Sequence, residues 1–116
     1  MMEGDIKQIL IDNSKEYYKN ALDAKKRSEY NTAVTLFFKT LSSLADLYIL
    51  INEGKIPSSH TERFRILELN YHEIYEILDK DFPFYQDSYR NKLDKETCEV
   101  LEEDVKRLFD KVKIKV

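Results

Sequence analysis

At 116 residues the chain has the size of one domain, able to bury about two-thirds of the surface its unfolded form exposes. It is 42% hydrophobic and 35% charged with only two Gly and two Pro, which suits long helices and excludes both disorder and a fold of many short strands. A net charge of -3 excludes a domain held to nucleic acid by overall charge, leaving only a local basic patch, and the single cysteine, Cys98, excludes an internal disulfide. No Cys/His cluster has zinc-ligand spacing, so neither a metal nor a cofactor is expected. The most apolar window, Ala33 to Ile51, contains Lys39 and Asp46, and no basic stretch precedes an apolar one at the N-terminus. Neither a membrane span nor a secretion signal is therefore expected, and the cytoplasm is the expected location.

The first helix is expected from about Asp5 to Ser28, with Ile6, Ile9, Leu10, Tyr17, Ala21 and Ala24 falling mostly three or four apart. Lys25, Lys26 and Arg27 close it, where cations meet the unpaired carbonyls of a helix end. The second, about Tyr30 to Asn52, carries the broadest apolar stripe, including Ala33, Val34, Phe37, Phe38, Leu41 and Leu44, and is expected to be central. Gly54 is placed for a left-handed cap and Pro57 stops continuation, so Gly54 to Ser58 reads as a loop. Ser59 and Glu62 have capping-box spacing, and the third helix then shows Phe64, Leu67, Tyr71, Ile74 and Leu78 on one face, ending near Lys80. Asp81 to Tyr85 is expected to be a connection around Pro83, pinned by Phe82 and Phe84, before a short helix near Gln86 to Leu93. The last helix, about Lys95 to Lys113, starts after Asp94 as cap and aligns Cys98, Leu101, Val105, Leu108, Phe109 and Val112, which places Cys98 in the core. The expected architecture is all-α: a single domain, residues 1–116, folded as an up-and-down bundle of four main helices with a short additional one.

Chemistry-bearing residues are few. Arg65 and His72, two turns apart on the expected third helix, form an alternative pair for RNA cleavage, with His moving protons and Arg stabilising phosphate charge. Glu68 lies within pairing distance of both along that helix, so an ordinary solvated face is the plainer reading. His60, at the entry to the helix, has a loop-side position, and the two histidines are not spaced as a metal pair. Glu102, Glu103 and Asp104 fan out over different directions and are expected on a solvated face. The eight tyrosines suit packing at the edge of a core.

Three stretches, YNTAVTLFFKTLSSLADLYI, the loop GKIPSSH and DSYRNKLDKETCEVLEEDVKRL, span most of Tyr30 to Leu108 and together resemble a HEPN domain. That family of small helical bundles includes prokaryotic toxins and the partners of nucleotidyltransferases. Its ribonuclease members carry an Arg, usually followed by a polar residue, and shortly afterwards a His. Arg90 and Asn91 match the beginning of this motif, but Lys95, Glu96 and Thr97 occupy the positions where the His would fall. The resemblance thus implies a non-catalytic, HEPN-like module for self-association as a homodimer or for a nucleotidyltransferase-like protein partner. Nucleotide or RNA contact is expected at Arg90, Asn91 and Lys95, unless Arg90 pairs with Asp87 or Asp94. The alternative it implies is a toxin-like ribonuclease acting on RNA.

Overall fold

The computed structural model describes residues 3–116, which form an all-α bundle of five helices measuring 38 × 25 × 23 Å. They are α1 (Glu3–Lys26), α2 (Tyr30–Glu53), α3 (His60–Asn70), α4 (His72–Asp87) and α5 (Lys95–Val112).

The apolar stripe of α2 sets the layout. Phe37, Phe38, Leu41, Leu44, Leu47 and Ile49 are all essentially inaccessible to solvent, and α1, α4 and α5 pack around them. By length and hydropathy α2 could cross a membrane, yet 72% of its most apolar window is buried inside the bundle, as expected of a central core helix. α1 contributes small residues, Ala21 and Ala24, and its buried Ser14 donates to the Leu10 carbonyl while lying 3.0 Å from Ser43 of α2. Leu101, Val105, Leu108 and Phe109 of α5 complete the interior together with Ile74 and Leu78 of α4. Cys98 is fully buried, and burial pushes its thiol up to about 11, so it serves as a packed, protonated side chain.

The local stop and start signals act as their chemistry requires. Gly54 adopts φ 76°, a conformation without steric cost only for glycine, and donates its N–H to the Leu50 carbonyl at the end of α2. Ser59 Oγ accepts the Glu62 N–H at 3.1 Å, but the Glu62 carboxylate reaches the N–H and hydroxyl of Ser58, one residue before the position a reciprocal box would use. Asp94 caps α5 by accepting the Thr97 N–H at 2.8 Å.

Three expectations along the second half of the chain are corrected. The single helix from Ser59 to Lys80 is broken at Tyr71, whose φ of -138° and ψ of 65° leave the helical region. Its hydroxyl donates to Glu53 at 2.8 Å and its ring meets Tyr48 edge-on at 5.3 Å, so anchorage to the end of α2 accompanies the break. The expected connection at Asp81 to Tyr85 is instead helical, because α4 runs through Pro83 to Asp87. Proline inside a helix costs about 3 kcal/mol. The aromatic packing that offsets it places Phe82 5.6 Å from Phe38 and 5.4 Å from Phe64, with Tyr85 stacked on Phe38 at 4.8 Å. The short helix expected near Gln86 to Leu93 is absent: Gln86 and Asp87 end α4, and the chain then turns.

The acidic run on α5 is not wholly solvated either. Glu103 is exposed, whereas Glu102 and Asp104 are buried on opposite flanks of the helix. Glu102 meets Lys25 of α1, and Asp104 lies 2.8 Å from Lys80 of α4. Burial of a carboxylate is tolerable only where cations or donors face it, and both partners here come from distant parts of the chain.

Candidate functional site

The turn between α4 and α5 is built around one amide side chain. Asn31, in the first turn of α2, donates from Nδ2 to the carbonyls of Ser88 and Asn91 at 2.9 and 2.7 Å, and its Oδ1 accepts the Leu93 N–H at 2.9 Å. Thr35, one turn further along α2, places its hydroxyl 3.1 Å from that of Ser88. Within the turn, the N–H groups of Arg90 and Asn91 both donate to the Asp87 carbonyl, at 3.0 and 2.8 Å. A loop whose own backbone is held in this way can display side chains at little further entropic cost.

What it displays is aromatic and basic. Tyr89 is 72% exposed, with its hydroxyl 3.1 Å from that of Tyr85 and its ring edge-on to the Tyr85 ring at 5.7 Å. That hydrogen bond, followed by burial, raises the Tyr85 pKa, so the phenol stays neutral. Arg90 is exposed and makes no ion pair among the described residues, with neither Asp87 nor Asp94. Asp94 is engaged as the cap of α5, and the Thr97 N–H that it accepts holds its carboxyl below the usual range. Two clefts flank the turn, one of about 390 Å³ lined by Asn31, Tyr89, Arg90, Asn91 and Lys92, the other of about 480 Å³ lined by Gln86, Asp87, Tyr89 and Arg90. Lys95 opens α5 as an exposed residue beyond the Asp94 cap and lines neither cleft. Arg90 and Asn91 are thus brought together with Tyr89, Lys92 and Asn31, which sequence reasoning did not place there.

This arrangement can bind an anion and stack a planar group. No histidine lines either cleft: His72 begins α4, at the end away from the turn, and His60 lies 6.2 Å from Phe82 and lines a different cleft with Tyr85.

Arg65 and His72 fall on different helices. Arg65 lines a shallow cleft of about 470 Å³ with Phe64, Glu68, Tyr75, Asp79 and Phe82. His72 begins α4, lies 2.9 Å from Glu76 Oε1, and stacks on Tyr75 at 5.9 Å without lining that cleft. The Tyr71 break removes the two-turn spacing on which the pair depends.

Two further polar clusters hold the bundle together. Arg63 of α3 grips Asp46 of α2 with Nε and Nη2 at 2.7 and 2.9 Å, each side chain 12% exposed. A bidentate, largely desolvated pair of this kind fixes the angle as well as the distance between two helices. Between α4 and α5, Asp81 and Asp104 face each other with almost no exposure. Two ionised carboxylates have no donor to offer one another, and Asp81 has no other hydrogen-bond partner among the described residues. A proton retained on Asp81 supplies the missing donor. Burial, then the hydrogen bond and charge of Asp104, push Asp81 up to about 8. Among the described residues no group of three or more His, Cys, Asp or Glu is arranged to hold a metal ion.

Compared with known proteins, the chain matches no protein-family model, no curated protein and no solved structure.

Proposed function

We propose that the chain is a non-catalytic, HEPN-like binding module that associates with a second copy of itself or with a nucleotidyltransferase-like companion and offers nucleotide or RNA the turn carrying Tyr89 and Arg90. The observation that supports it best is the exposed Arg90, without an ion pair among the described residues, beside an exposed Tyr89 on a turn fastened by Asn31. Single-stranded nucleic acid is bound by this combination of cation and aromatic platform, with about 1–3 kcal/mol from each stacked base. An overall charge of -3 makes such binding local and dependent on salt. Two exposed apolar residues, Ile51 at the end of α2 and Ile56 in the loop that follows, support a protein contact at the end of α2 away from Asn31. No feature of the Arg65 and His72 positions favours the ribonuclease reading.

Fluorescence anisotropy with a labelled single-stranded RNA at low ionic strength tests the nucleic-acid part. Arg90→Ala and Tyr89→Ala are each expected to weaken binding about tenfold while leaving helicity unchanged. Equal affinity in both variants, or no binding by the parent chain at low salt, would remove the turn from the account.

A further inference from the structure

A further cleft, of about 240 Å³, lies where α1, α2, α3 and α4 converge, lined among others by Tyr17, Lys39, Ser42, Asp46, His60 and Arg63. Its charges do not cancel. Asp46 neutralises Arg63 through the bidentate pair described above, and Lys39 has no acidic partner among the described residues.

The hydrogen-bonding capacity is equally one-sided. Arg63 Nη1 lies 2.8 Å from His60 Nδ1, and because a guanidinium can only donate, Nδ1 accepts and Nε2 carries the ring proton. Burial, then the Arg63 charge, lowers the His60 pKa, which keeps this neutral tautomer in place. Ser42 contributes an unused donor. Its hydroxyl is buried and makes no hydrogen bond among the described residues, whereas Thr35 and Thr40 on the same helix donate to the carbonyls of Asn31 and Leu36. A buried hydroxyl without a partner is destabilising, a loss that a ligand atom can recover.

We propose that this cleft binds a small oxyanion, a carboxylate or a phosphate carried on a compact polar molecule, with Lys39 supplying the charge and Ser42 the buried donor. The cleft's volume, below the about 300 Å³ at which drug-sized pockets begin, restricts the occupant to a compact molecule. The cleft shares no lining residue with those at the Arg90 turn, and its proposed ligand contacts, Lys39 and Ser42, lie outside that turn, so either site can fail without the other.

The test uses the full chain labelled with nitrogen-15, titrated separately with inorganic phosphate and with acetate while the signals of Lys39, Ser42 and His60 are followed. Saturable shifts at these residues are expected with at least one anion. Saturation with phosphate alone identifies a phosphate site, and saturation with acetate alone a carboxylate site. Lys39→Ala, an exposed substitution, and Ser42→Ala are each expected to weaken the response about tenfold, and Arg90→Ala to leave it unchanged. Non-saturating shifts spread over surface lysines, no shift with either anion, or undiminished binding by Lys39→Ala would overturn the proposal.

Discussion

Asn31 fits its place because an amide presents donors and an acceptor on one planar group, and the turn it holds exposes two carbonyls and one N–H toward it. Asn31→Ala deletes all three bonds at once. Net stability is expected to fall by about 1–3 kcal/mol in urea denaturation, with faster amide hydrogen exchange at Leu93. Unchanged exchange at Leu93 would mean that the turn holds itself. The difference between what is legible in sequence and what is not shows clearly at this scale. Gly54, Ser59 and Asp94 act through groups within four residues, so their roles could be read from spacing alone. Arg90 and Asn91 could be singled out only by resemblance, and Asn31 not at all, because its partners lie about sixty positions away and nothing local marks it. Glu102 and Asp104 were misread for the same reason, since their burial depends on Lys25 and Lys80.

Among the elements, α1, α2 and α5 follow from apolar periodicity, while the break between α3 and α4 and the length of α4 follow from tertiary contacts. A proline argued for a connection at Asp81 to Tyr85, but four aromatic contacts carried α4 through it. Nothing so overt marks Tyr71, where the chain does leave the helix. The joint between α4 and α5 gives the fold a pH dependence. Asp81 is raised from 3.8 to about 8, so between those values the native state keeps a proton that the unfolded chain has released. The pair's contribution to stability is therefore largest below about pH 4, declines as pH rises, and levels off above about pH 8. Lys80 and Arg107, 2.8 and 3.5 Å from Asp104, compensate the charge that remains. Asp81→Asn replaces the proton retained on Asp81 with an amide donor that does not titrate. In urea denaturation at about pH 5 and about pH 8.5, the variant is expected to gain on the parent chain at the higher pH. A constant difference between the two proteins would show that Asp81 does not retain its proton in the folded state.

Over the whole molecule, the apolar excess of α2 has two consequences. Most of it is spent inside the bundle, where α1, α4 and α5 cover it, and Ile51 is left exposed at its end. Association through that end predicts a dimer at micromolar concentration, or a stable complex with a companion protein. Sedimentation showing a strict monomer, together with no companion retained from native extract, would count against it. The all-α bundle could be read from composition and periodicity because the long helices α1, α2 and α5 each carry an apolar stripe. The displayed turn could not, because it depends on how the start of α2 meets the end of α4.

The central claim is that this turn, not the Arg65 and His72 region, receives nucleic acid. Titrating a short single-stranded RNA into the labelled chain and mapping the perturbed signals tests it most directly. Shifts concentrated at Tyr89, Arg90, Asn91, Lys92 and the Asn31 side-chain amide are the predicted result. Shifts centred on Arg65 and His72, or none at the turn at low salt, would contradict it.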